Sequence, residues 1–136
     1  MSLPAQISAR APQLIAVVED DAALLGAIRF SLEAEGYSVL TFESGEGLLA
    51  APGLNEVACF VLDHRLPLLD GRQVIAELRR RGAAGRAVMI TTRPQADVRQ
   101  ACQDMGIPIV EKPLLGESLN ACIRGLLAKP AEAAAG

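Results

Sequence analysis

From Leu14 onward the chain alternates short apolar runs with segments whose apolar residues recur every three or four positions. The short runs are Leu14 to Val18, Tyr37 to Phe42, Val57 to Leu62, Ala87 to Ile90 and Ile107 to Val110. They are rich in β-branched residues and too brief for buried helices, so each predicts a strand. Ala22 to Glu35 places Leu24, Leu25, Ile28 and Leu32 on one helical face, with Asp21 suited to cap its start and Gly36 to stop it. A short helix over Gly45 to Ala50 is weakened by its glycines and by Pro52, whereas Gly71 to Arg81 carries a firm stripe of Val74, Ile75 and Leu78. Pro94 to Met105 starts with proline in the first turn and stops before Gly106, and Leu115 to Ala128 turns Leu119, Ile123, Leu126 and Leu127 inward. Strand and helix in regular alternation predict an α/β fold. The expected architecture is a (βα)5 doubly wound parallel sheet with right-handed crossovers and helices on both faces.

In a parallel sheet all strand ends point the same way, so the residues that end the apolar runs meet at one edge, where open α/β sheets bind ligands. Those residues are Glu19 and Asp20 after the first run, Asp63 after the third, Thr91 after the fourth and Lys112 after the fifth. Val57 to Leu62 has no polar position at all, as befits a strand covered on both faces, so Asp63 is the first place it can present a charge. Acids converging from two strands repel each other unless a cation lies between them, and a hard ion such as Mg²⁺ is the natural partner. A lysine and a threonine beside such an ion suit a phosphoryl group, to which they offer a point charge and a hydrogen bond. The blander alternative is that Asp63 only ends a strand. Arg79, Arg80 and Arg81 read as a solvated helix terminus whose cations complement the dipole, not as a binding patch.

With 136 residues, 51% hydrophobic and 21% charged, the chain has room for one globular domain with a core. We expect a leader over 1–12, the domain over 13–128 and a tail or linker over 129–136. A formal charge of −3 and a pI near 5.1 give no electrostatic case for nucleic acid or a membrane surface. Cys59, Cys102 and Cys122 are odd in number and form no CxxC pair, which fits reduced packing residues in a cytoplasmic protein.

Four motifs, VVEDD (17–21), VLDHRLPLLDG (61–71), MITT (89–92) and VEKPL (110–114), together resemble a bacterial two-component response-regulator receiver domain over Leu14 to Leu127. The resemblance implies a flavodoxin-like strand order of 2-1-3-4-5. It implies that Asp63 is a phosphoacceptor supplied by a sensor histidine kinase or a phosphotransfer protein. Asp20 would be a direct Mg²⁺ ligand, Glu19 a water-mediated one, and the backbone carbonyl of Arg65 a further ligand beside Asp63. Thr91 would be the switch hydroxyl, and Lys112, before a peptide to Pro113 that is often cis, the lysine on the phosphoryl group. Such a domain is a signalling switch that assists its own phosphorylation and dephosphorylation, not a turnover enzyme. Its readout surface would be the fourth helix, fifth strand and fifth helix, which would also serve a homodimer, with no nucleic-acid or membrane contact of its own.

Departures from the family pattern matter as much. Ile109 stands where receivers usually carry an aromatic residue three before the lysine, and Gly106 to Lys112 is one residue shorter than usual, with Pro108 beginning the strand. Any switch is therefore expected to work through Thr91 and the Gly106 to Leu115 surface without an aromatic rotamer change. Arg65 and Arg93, each two residues after a site residue, occupy positions that in the family influence the lifetime of the phosphoryl group. His64, the one histidine, reads as a packing or polar-edge residue. Two other readings remain: a receiver-like interaction module with phosphate-independent readout, suggested by Ile109, and a metal-dependent phosphohydrolase, which would need an acid where Arg65 stands.

Overall fold

The computed structural model describes residues 12–128. The strands are β1 (Leu14–Val18), β2 (Ser38–Phe42), β3 (Cys59–Asp63), β4 (Arg86–Thr91) and β5 (Ile109–Glu111). The helices are α1 (Ala22–Ala34), α2 (Gly45–Leu49), α3 (Gly71–Arg80), α4 (Ala96–Met105) and α5 (Ser118–Ala128). All strands are parallel and the order is β2-β1-β3-β4-β5, as expected from the alternation of patterns and from the resemblance.

Alternate residues of the central strands feed two separate cores. Ile15, Val17, Cys59, Val61, Val88 and Ile90 pack under Leu25, Ile28 and Leu32 of α1 and Leu119 and Ile123 of α5. Ala16, Val18, Phe60, Leu62 and Met89 pack under Leu48 of α2, Val74, Ile75 and Leu78 of α3, and Val98 and Cys102 of α4. The period of two along a strand thus divides one apolar run between two layers, which is why β3 shows no polar position before Asp63. Phe60 is fully buried, and burial of such a ring is worth about 1.5–3 kcal/mol.

Asp21 caps α1 by accepting from the amides of Ala23 and Leu24, as its position after β1 predicts. Element ends differ from the sequence expectation where turn chemistry intervenes. Leu54–Glu56 forms a 3-10 turn that the pattern did not reveal, and Val57 donates to Leu54 within it, so β3 starts at Cys59. Ile107 donates to Cys102 in the cap of α4 and is not yet strand. Arg93, with φ 47, delays α4 to Ala96, and Gly116, with φ 58, delays α5 to Ser118. The arginine run is held by its own helix, by the turn after it and by α2: Arg80 and Arg81 pair with Glu77, Arg79 donates to the carbonyl of Ala83 and Arg81 to that of Leu49. Among the described residues no helix is long and apolar enough to cross a membrane. The leader and tail expected at the ends lie outside the described residues, apart from Pro12.

Candidate functional site

Strand register assembles the site. Val18 pairs with Leu62, so Glu19 and Asp63 come level one step later; Asp63 pairs with Ile90, Thr91 with Glu111, and Lys112 follows. The amide of Glu19 donates to the carbonyl of Phe42 at 3.0 Å and that of Lys112 to the carbonyl of Thr91 at 2.8 Å, which holds both backbones at the sheet edge. Glu19, Asp63 and Thr91 are 1%, 3% and 1% exposed, whereas Asp20 is open to solvent. Two buried carboxylates side by side need compensation.

Lys112 supplies it. Its Nζ lies 3.0 Å from Asp63 Oδ2 and 2.8 Å from Glu19 Oε1. The second approach is off-axis for a hydrogen bond, so Glu19 Oε1 has a counter-charge without an aligned donor. Burial pulls the lysine's pKa down, but the contacts with the carboxylates of Glu19 and Asp63 outweigh it and hold the ammonium above its ordinary value. The remaining carboxylate oxygens are met by backbone: Asp63 Oδ1 accepts from the amide of Arg65 at 3.1 Å and Glu19 Oε2 from that of Asp21 at 3.0 Å. Glu19, Asp20 and Asp63 each offer an oxygen within 4.8 Å of the others. Three carboxylates against one ammonium leave surplus negative charge in a cluster of oxygen donors, the donor set that suits a hard divalent cation.

The turn after β3 is held tightly. His64 donates its amide to Ile90 and accepts from Gly71 at 3.0 Å, closing the loop that contains Arg65 to Asp70. Gly71 permits that closure because a Cβ there would sit 2.9 Å from the carbonyl oxygen of Asp63 and press on Met89. Asp70 and Gln73 form a reciprocal capping box that starts α3. His64 is half-buried, and its backbone pins the turn.

Arg65 and Arg93 are exposed and line one cleft with Thr92 and Gln95. Sequence reasoning singled out the two arginines but not Thr92 or Gln95, although the polar run Thr91 to Gln95 between strand and helix was the available signal. Ile109 is half-buried, pairs with Met89 and packs against the α2, α3 and α4 core. The peptide bond from Lys112 to Pro113 is cis.

The profile of the response regulator receiver domain matches residues 15–132. The tetrathionate response regulatory protein TtrR of Salmonella typhimurium is 32% identical over 116 residues, which cover 83% of this chain and 55% of that protein. Response regulator MprA of Mycobacterium sp. (strain KMS) is 36% identical over 117 residues, covering 85% of this chain and 51% of that protein. The chain therefore spans about half the length of these curated relatives. Among solved structures, response regulator protein TrrA from Thermotoga maritima, in complex with Mg(2+)-BeF, superposes with a TM-score of 0.72 at 23% identity, over 85% of this chain and 99% of that one, a likeness of fold. With that profile running through every strand and all the strand-end motifs gathered at one edge of a 2-1-3-4-5 sheet, the chain belongs to the response regulator receiver domains of two-component systems.

Proposed function

We propose that this domain is a phosphorylation switch in which Asp63 accepts a phosphoryl group from the phosphohistidine of a sensor histidine kinase or phosphotransfer protein. The observation that carries the reading is the double contact of Lys112 Nζ with Asp63 and Glu19, with Asp20 alongside. Mg²⁺ would be held by Asp20, Asp63 and the backbone carbonyl of Arg65, with Glu19 through water, and when bound supplies positive charge against the phosphoryl oxygens. The presence of Mg(2+)-BeF on TrrA supports this choice of ion.

A carboxylate oxygen of Asp63 attacks phosphorus in line; the P–O bond forms as the P–N bond breaks, and the leaving imidazole takes the electron pair. Lys112 exchanges its contact with Asp63 Oδ2 for a phosphoryl oxygen, and the Thr91 hydroxyl donates to another. Hydrolysis by water later returns the carboxylate, so the protein regulates and does not turn over a substrate. Arg65 and Arg93, at the lip of their shared cleft, shield the phosphoryl group and set how long it lasts. The altered state is read from α4, β5 and α5, the surface that also serves a homodimer, and Ile109 contributes no ring to it. A cytoplasmic setting suits a domain charged by a kinase, and the described residues correspond to one receiver unit over 13–128.

The test is incubation with Mg²⁺ and a small phosphodonor, followed by acid quenching and mass measurement. A gain of one phosphoryl group, lost in Asp63→Asn, is expected. No uptake would favour a phosphate-independent interaction module, and rapid repeated turnover a phosphohydrolase.

A further inference from the structure

Among the helices, α4 is tied down lightly. Of its ten residues only Val98 and Cys102 are buried, Gln95 gives it no side-chain cap, and the chain reaches it through the left-handed Arg93. An element with few buried contacts and no side-chain N-cap is the kind that shifts at low cost. Against this background Arg99, on the second turn of α4, places Nη2 2.7 Å from Glu111 Oε2 of β5. Glu111 pairs with Thr91 across the ladder and immediately precedes Lys112, whose Nζ holds Asp63. It lies two residues after Ile109, hence on the same face of β5, one step nearer the acidic site. Ile109 supplies no ring to carry a signal along that face; the ion pair spans the same gap between β5 and α4.

We propose that the Arg99–Glu111 ion pair is the link through which the Lys112 end of β5 sets the position of α4. It rests on the phosphorylation reading: when Lys112 leaves Asp63 for a phosphoryl oxygen, the strand end carrying Glu111 moves with it, and Arg99 passes the displacement to the helix. Both side chains are about half exposed, at 54% and 50%, so the link biases an equilibrium and does not lock it.

The experiment follows backbone amides by NMR as Mg²⁺ and beryllofluoride are added to the wild type, to Arg99→Gln, to Glu111→Gln and to the charge exchange Arg99→Glu/Glu111→Arg. In the wild type, amides of both the Asp63 turn and α4 shift. In each single variant the Asp63 turn still responds, while the response of α4 falls about two- to fivefold, the range an exposed pair supports. The exchange restores it. A full α4 response in the single variants, or none in the exchange, overturns the link and leaves the phosphorylation reading standing. No response at the Asp63 turn of the wild type overturns both.

Discussion

Lys112 Nζ lies 3.0 Å from Asp63 Oδ2, across 49 residues of sequence, and 2.8 Å from Glu19 Oε1, so one ammonium is shared between acids that follow or end two different strands. Removing it leaves two buried carboxylates facing each other. Lys112→Ala should lose about 2–3 kcal/mol by urea unfolding, less than for a fully buried pair because the lysine is 20% exposed. Mg²⁺ should recover more of that stability in the variant than it adds to the wild type, since loss of the ammonium tightens cation binding and a ligand stabilises the folded state more the further its concentration exceeds its Kd. Equal effects of Mg²⁺ on the two proteins would show that Lys112 and the cation do not answer the same charge.

Gly71 governs how closely α3 approaches the strand end that carries Asp63. A methyl group there would meet the Asp63 carbonyl oxygen at 2.9 Å and the Met89 sulfur more closely still. Gly71→Ala should therefore cost about 1–3 kcal/mol and should also lower phosphoryl uptake, because the carbonyl it displaces belongs to the proposed acceptor residue. Unfolding curves and uptake measured on the same preparation test both effects.

Glu35 ends α1, where the helix dipole disfavours an acid, yet Asn120 and then Arg124 hydrogen-bond it and hold its carboxyl below the ordinary 4.5. Arg80 and Arg81 likewise lower Glu77 to about 2. For groups depressed in the folded state, the stabilisation is complete above the unfolded value and is lost as pH falls through the folded one. Stability should thus decline below pH 4.5, with the loss of the Glu77 part continuing down to about 2. Glu35→Gln should flatten the upper part of this decline, as measured by unfolding free energies at pH values on either side of 4.5.

Why the alternation of elements was legible, and their mutual contacts less so, follows from the range of the forces involved. The two-residue and 3.6-residue periods record burial against a neighbouring layer, so Leu25, Ile28, Leu32, Val74, Ile75 and Leu78 declared their helices. Strand-end acids stood out because Ile15 to Val18 and Cys59 to Leu62 leave no charge elsewhere on their strands. α4 starts later than its pattern predicts because positive φ at Arg93, a residue that rarely adopts it, has no local sign. Pairings such as Arg99 with Glu111, and Asn120 with Ser31 and Glu35, depend on which helix lies over which strand and leave no periodic trace.

The two arginines that share a cleft beside the turn after Asp63 make the last prediction. Arg65 directs its amide to Asp63 Oδ1, so its backbone is fixed while its guanidinium stays exposed and faces the same cleft as Arg93. Guanidinium groups carry five donors in a planar fork suited to phosphoryl oxygens. Held over a phosphorylated Asp63, they would both neutralise its charge and occupy the space through which water attacks. Arg65→Ala with Arg93→Ala should leave phosphoryl uptake intact and shorten the lifetime of the phosphorylated form severalfold, because neither side chain lies within the Glu19, Asp63 and Lys112 cluster. The measurement is the decay of the phosphoryl mass gain in Mg²⁺ after the donor is removed. An unchanged decay in the double variant would free both arginines from any role in timing and leave shielding to Lys112 and Thr91.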